Sequence, residues 1–313
     1  MIIEGKRQEN PFSLSGGSVS PLYETYYGIS IPEAFSMLQP FPLKKARLSP
    51  VRLYAIASLF LIIIGSMVIY YSFNVSTADV NSGIPFSGST PVSLKSPQWS
   101  GYVVMSNLLL RESEVTIVTG SWIVPSVDPT AYDAYSSVWV GVGGYGEGSL
   151  IQTGTAQQSV KGIVSYYAWY ELLPNRAVRI QNFTVLPGDE ITASVKLADP
   201  KKSIWNVEIR EITRGTSFSR NFMYRSSRLS AEWVVEAPSI SGEVTTLADF
   251  GSVTFSSGFA TIANTTGAIS SFPGYQLVMY DSQDVQLVDV SALNQAGSGF
   301  TVTYSKFVTN ESS

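Results

Sequence analysis

A carboxylate and a primary amide are the chemistry-bearing groups that the spacing of this sequence singles out. In Leu229-Ser-Ala-Glu-Trp-Val-Val-Glu-Ala-Pro238, period-two alternation puts Glu232, Val234 and Glu236 on one face of a strand and Ala231, Trp233 and Val235 on the other. The Trp face has the character of a core, so Glu232 looks onto the opposite surface. In the glycine-rich stretch from Ser137 to Gly154, Gln152 lies two residues before Gly154 and shares its face with Leu150. A carboxylate can deprotonate a water, and an amide N–H can stabilise an oxyanion. Spacing alone leaves the structural alternative open, because a mid-strand Glu is ordinarily solvated or paired across strands.

Composition narrows the chemistry further. The 313 residues contain no His and no Cys. Ser-His-Asp and Cys-His sites need an imidazole base, zinc sites draw on His or Cys, and disulfides need thiols. No metal and no cofactor is expected, so catalysis would fall to carboxylates, amides, hydroxyls, Lys or backbone. The net charge of −4 argues against a nucleic-acid partner. Gly141, Gly143, Gly144, Gly146 and Gly148 lack the following helix and the Gly-Lys-Ser/Thr of a phosphate loop, and suit a strand-connecting loop with positive-φ positions. The aromatic run Tyr166, Tyr167, Trp169 and Tyr170 fits either a sugar-stacking platform or a strand with one face in the core.

The elements that must hold these groups are strands. From Pro97 onward short apolar runs alternate with turn signals such as Pro187-Gly-Asp189 and Arg214-Gly215, and in Ile191-Thr-Ala-Ser-Val-Lys-Leu197 every second residue is apolar. No amphipathic helix is expected after residue 72. The fold class expected is all-β, an antiparallel sandwich, preceded by one transmembrane helix.

That helix is Leu53 to Tyr71, 19 residues without a charge, long enough to span about 28 Å of a ~30 Å hydrocarbon core. Lys44, Lys45, Arg47 and Arg52 precede it and no Lys or Arg follows until Lys95, which places the N-terminus in the cytoplasm and the remainder outside. Residues 1–73 carry 6 basic and 4 acidic side chains and residues 74–313 carry 14 and 20, in keeping with that topology. The expected organisation is a disordered tail over 1–50, an anchor over 51–73, a Ser/Gly/Pro-rich stalk over 74–96, a β domain over 97–305 and a short tail over 306–313. Secretion after cleavage near Ser76 and Ala78, with Met37 as the start, is the alternative.

Seven short motifs, in order, resemble the glutamic peptidases (eqolisins, peptidase family G1). They are Gln98-Trp-Ser-Gly-Tyr102, Val118-Thr-Gly-Ser-Trp-Ile-Val-Pro125, Trp139-Val-Gly141, Ile151-Gln-Thr-Gly154, Ala168-Trp-Tyr-Glu171, Ser230-Ala-Glu-Trp-Val-Val-Glu236 and Ala248-Asp-Phe-Gly-Ser-Val-Thr-Phe255. The resemblance implies a concanavalin A-like sandwich of two large sheets whose concave face binds an extended protein or peptide substrate. It implies an acid endopeptidase with a catalytic dyad of Gln152 and Glu232, the Glu as general base on water and the Gln as oxyanion stabiliser, without a covalent intermediate. Trp139, Glu171 and Asp249 fall at supporting positions. Gly143 and Leu172 depart from the family pattern, which leaves substrate preference open. A non-catalytic surface module binding glycans or proteins is the competing expectation.

Overall fold

The computed structural model describes residues 92–107, 112 and 114–305. They form two eight-strand sheets and a two-strand ribbon of β12 (Ser239–Ile240) and β13 (Glu243–Val244). The first has strand order β1-β16-β2-β11-β4-β5-β6-β7, built from β1 (Val92–Ser96), β2 (Trp99–Val104), β4 (Ala134–Gly143), β5 (Leu150–Val160), β6 (Ile163–Leu172), β7 (Val178–Arg179), β11 (Ala231–Glu236) and β16 (Gly274–Met279). The second runs β10-β9-β8-β3-β14-β18-β17, from β3 (Val115–Ile123), β8 (Glu190–Asp199), β9 (Ile204–Glu211), β10 (Thr216–Met223), β14 (Ser252–Ile262), β17 (Val288–Val290) and β18 (Phe300–Tyr304), with β15 (Thr265–Ala268) paired to β14. All pairs are antiparallel except β1 with β16. The all-β expectation holds for the described residues. Their one helical element is a 3-10 turn at Ile269–Ser271.

The core lies between the sheets. The inward faces contribute Trp122, Trp205, Trp233, Tyr102 and Phe255, each at most 1% exposed, with Val140, Val195, Val235 and Ile209 around them. Fully burying an aliphatic side chain of this size is worth about 1.5–3 kcal/mol. Each buried indole N–H has an acceptor: Trp233 donates to the Thr119 carbonyl at 2.7 Å, Trp122 to the Thr155 hydroxyl at 3.0 Å and Trp205 to the Tyr224 carbonyl at 3.1 Å. The alternation in β11 is realised as expected, with Ala231, Trp233 and Val235 in this core.

A second apolar cluster covers the opposite face of the first sheet: Trp99, Val103, Met105, Trp139, Leu150, Ala156, Trp169, Val234 and Leu277. An antiparallel sheet with one face free is ordinarily polar there. Here the outer face is aromatic and its apolar side chains are themselves buried, so it is not an ordinary solvated face.

One expectation is corrected. Val92–Ser96, assigned to the stalk over 74–96, forms the edge strand β1. Its burial is slight and its sequence, Val-Ser-Leu-Lys-Ser, is that of a linker, so only its pairing with β16 gives it away. The tail over 1–50, the apolar segment 53–71 and residues 306–313 lie outside the described residues. Among the described residues no helix is long and apolar enough to cross a membrane.

Close approach of β4 and β5 depends on Gly154, where a Cβ would stand 2.1 Å from the Val138 carbonyl oxygen and 2.6 Å from the Trp139 Cβ. Gly154→Ala is expected to cost about 3 kcal/mol or more and to lower the thermal melting temperature sharply. Gly148→Ala, with nothing within 4 Å of its added Cβ, is the control and should melt like the parent chain.

Candidate active site

Strand register builds the site. Across the outer face of the first sheet, Tyr275 pairs with Val103, Val103 with Glu232, Glu232 with Gly141, Gly141 with Gln152, and Gln152 with Glu171. Directly opposed residues of antiparallel strands point the same way, so this row of six shares one face. Glu232 on β11 and Gln152 on β5 are two strands apart, about 10 Å between backbones at ~4.8 Å per strand. Gly141 stands between them. A Cβ there would lie 2.9 Å from Leu150 Cδ1, 3.0 Å from Trp139 Cζ3 and 3.1 Å from Gln152 Cβ. The two functional side chains thus face each other across a position without a side chain of its own.

Gln152 is held by its neighbour in the row. Its Nε2 donates to Glu171 Oε2 at 2.7 Å. An amide nitrogen carries two hydrogens, so this bond leaves one N–H uncommitted. Gln152 Oε1 is buried and has no hydrogen-bond partner among the described residues, and the same is true of both Glu232 oxygens. Buried polar atoms are nearly always paired, so three orphans at one place are what a bound polar ligand would satisfy. Glu147, in the turn after β4, ties that turn down by accepting from the Gly144 and Ser149 amides at 3.0 Å each.

Behind the row sits an aromatic floor. Trp139 is fully buried, two residues from Gly141 on the same face, and meets Trp99 edge to face at a centroid distance of 5.0 Å. Glu236 accepts from both indoles, Trp99 Nε1 at 3.1 Å on one oxygen and Trp139 Nε1 at 2.7 Å on the other. Sequence reasoning placed Glu236 on the face of Glu232 but gave it no role. Its same-face spacing of four was the signal that could have found it.

All three carboxyls of this face titrate high. Burial raises Glu232 well above the usual range, with the Glu147 charge adding to it. The Ser230 hydroxyl opposes that shift from nearby without a hydrogen bond of ordinary geometry. Burial also raises Glu171 to about 7, helped by the Glu236 charge and opposed by the Gln152 amide. Glu236 reaches about 7 through burial, offset by the two indoles and Ser137.

The sequence-derived residues divide accordingly. Gln152, Glu232 and Glu171 come together in one row, and Trp139 lies beside it. Asp249 does not join them. Ala248 bonds to the Tyr135 carbonyl at the start of β4, some 20 Å along that strand from Gly141 at ~3.4 Å per residue, and Asp249 Oδ1 caps the Gly251 amide at 2.9 Å. Its place is in a turn. The glycine reading is also adjusted: Gly141 is a strand residue needed for packing, while Gly143, Gly144 and Gly146 take the positive φ of the turn. Among the described residues no three His, Cys, Asp or Glu side chains are grouped as metal ligands.

The fold is thus a two-sheet antiparallel sandwich with a carboxyl and an amide facing each other on one aromatic surface. Residues 97–304 match the Peptidase A4 family, and the chain belongs to that family; it is a peptidase of the glutamic class. It is 30% identical to aspergillopepsin-2 of Aspergillus niger over 233 residues, which span 67% of this chain and 78% of that protein. In fold it is similar to scytalido-glutamic peptidase solved with a transition state analog inhibitor (TM-score 0.57, 21% identity, 67% of this chain and 99% of that one). It is likewise similar to SCP-B, a member of the eqolisin family solved with the tripeptide Ala-Ile-His (TM-score 0.54, 22% identity, 67% and 99% coverage). The non-catalytic alternative gives way to this assignment.

The carboxyl shifts set a pH dependence of stability. A glutamate of the unfolded chain titrates near 4.3, whereas Glu171 and Glu236 in the fold titrate near 7. Between those values the native state holds more protons, so stability falls as pH rises from about 4.5 to 7, by an amount on the order of a few kcal/mol for the two together. Thermal melting is expected at higher temperature at pH 4.5 than at pH 7. The double variant Glu171→Gln, Glu236→Gln should shrink the difference, leaving the part that the raised Glu232 contributes in the same direction.

Proposed function

We propose that Glu232 and Gln152 form the catalytic dyad of an endopeptidase working in the acid range. Glu232, once ionised, takes a proton from a water that attacks the scissile carbonyl above Gly141. The free Gln152 N–H stabilises the oxyanion, its Oε1 orients the water, and Glu232 returns the proton to the leaving amine. No covalent intermediate and no metal enters this scheme. The observation that carries it is the set of three orphaned buried oxygens, Gln152 Oε1 and both Glu232 oxygens, on either side of a glycine. Glu171 is a positioning residue. Its Oε2 accepts from the Gln152 amide, which holds that amide toward the reaction, and a neutral carboxyl keeps an oxygen that can still accept. Trp139 and Glu236 shape the floor.

Acid operation follows from charge. Below about pH 7 Glu171 and Glu236 are neutral, so the oxyanion develops without a negative neighbour. The basic limb of kcat/KM follows Glu171 near 7, and the acid limb follows loss of the negative charge on Glu232. Substrates are proteins or peptides in extended form, lying across the outer face of the sheet over Gly141.

Hydrolysis of denatured protein by the full chain is the test. Glu232→Gln and Gln152→Ala should each lower kcat by about 100-fold or more with melting temperature preserved. Parent-like activity of Glu232→Gln would overturn the assignment. Glu171→Gln should retain activity in acid and lose the basic limb.

Residues 53–71 serve in this reading as a membrane anchor, with the tail cytoplasmic and the peptidase domain outside the cell. The 19-residue uncharged run and the basic residues before it support it. Because the chain has no Cys, single reporters are clean. Ser89→Cys in intact cells should react with a membrane-impermeant maleimide and Ser15→Cys should not; the reverse pattern would invert the topology.

A further inference from the structure

We propose that Arg179 is a specificity-determining residue, drawing an acidic side chain of the peptide substrate to the β6–β7 edge of the outer face. The inference rests on the peptidase reading and adds to it a preference for one class of substrate.

Arg179 pairs with Trp169, a member of the outer aromatic cluster, so its side chain stands on the face that carries Glu232 and Gln152. It is exposed, and its guanidinium lies over the Tyr167 ring at 5.0 Å from the centroid. Tyr167 is packed against the aromatic cluster, and burial pushes its hydroxyl up to about 12, so it stays neutral and offers only its π face. Stacking of this kind holds the planar fork in one orientation while leaving its N–H donors outward.

No carboxylate of the described residues forms an ion pair with Arg179, although this face holds three. Glu171 is committed to Gln152, Glu236 accepts from two indoles, and Glu232 lies across the sheet beside Gly141. Arg214, by contrast, is bound to Asp189 through two nitrogens and Arg210 to Glu208. An oriented, charged and unpaired fork beside an aromatic binding surface is complementary to a carboxylate.

The lattice of the sheet sets the distance. Arg179 is three strands and one row from Gly141, about 16 Å between backbones at ~4.8 Å per strand and ~6.8 Å per row. The side chain's own length shortens the gap to that of roughly three residues of extended peptide. An acidic residue two to four positions from the scissile bond therefore reaches the guanidinium.

The test uses the full chain and a series of otherwise identical neutral peptides carrying Glu, Gln or Lys at each position on either side of one scissile bond. It is run at pH 5.5, where a glutamate side chain is ionised. At one position two to four residues from the bond, Glu should be preferred over Gln by about three- to fivefold in kcat/KM, the magnitude of a partly exposed ion pair. The effect should lie in KM with kcat unchanged, since the contact is present in ground and transition states alike. Arg179→Ala should abolish that preference without lowering hydrolysis of the Gln peptide, Arg179→Lys should keep part of it, and Arg179→Glu should turn it toward Lys. Equal use of Glu and Gln by the parent chain, or a preference that survives Arg179→Ala, would overturn the assignment of Arg179 alone. Failure to cleave any peptide in the series would overturn the peptidase reading on which it stands.

Discussion

The missing side chain at Gly141 is the constraint on which the site depends. Glu232 and Gln152 come from strands that do not touch, and what separates them is one residue of β4 in strict register with both. A Cβ at that position would crowd Leu150, Trp139 and Gln152 and force these side chains to shift. Because side chains alternate with period two, a slip of one residue in β4 would put Val140 or Val142 into the gap and turn Trp139 into the core. The fully buried Trp139 and the inward valines of the same strand oppose such a slip. Core packing and the geometry of catalysis are therefore two readings of a single register.

The carboxyls of the outer face are organised by division of labour. Glu171 spends its hydrogen-bonding capacity on an amide and Glu236 on two indoles, while the Glu232 oxygens have no hydrogen-bond partner of ordinary geometry among the described residues. Burial raises all three, but only the unpaired one is left for a ligand. The polar interior of the sandwich follows the opposite rule. Gln157 and Ser136 sit deep between the sheets and are bonded to each other, with Gln157 also donating to Thr155. The Gln157–Ser136 pair between the sheets is satisfied internally, whereas on the working face Gln152 Oε1 and both Glu232 oxygens are not.

Much of this was legible in the residues. Alternation alone placed Glu232 with Val234 and Glu236 and opposite Trp233, and the ordered motifs pointed to Gln152 as its partner. The order of strands was not legible. Nothing local in Ala231–Glu236 says that it lies between β2 and β4, so the passage from two motifs to one site required the long-range pairing. Glu236 was passed over because its role is defined by two indoles from β2 and β4. Strand β1 looked like linker because an exposed edge strand needs little apolar sequence. Asp249 shares a motif with core residues and serves its turn, far from the row.

The placement of β11 also decides when the site comes into being. Gly141, Gln152 and Glu171 lie on three consecutive strands, a meander of local contacts of the kind that forms early. Glu232 arrives much later in the chain and must insert between strands already made. A chain made only as far as β6 accordingly holds Gln152 and Glu171 of the proposed site but not Glu232. The two halves of the proposed dyad therefore join only when a later strand enters between β2 and β4, and the sheet is completed later still by β16 between β1 and β2.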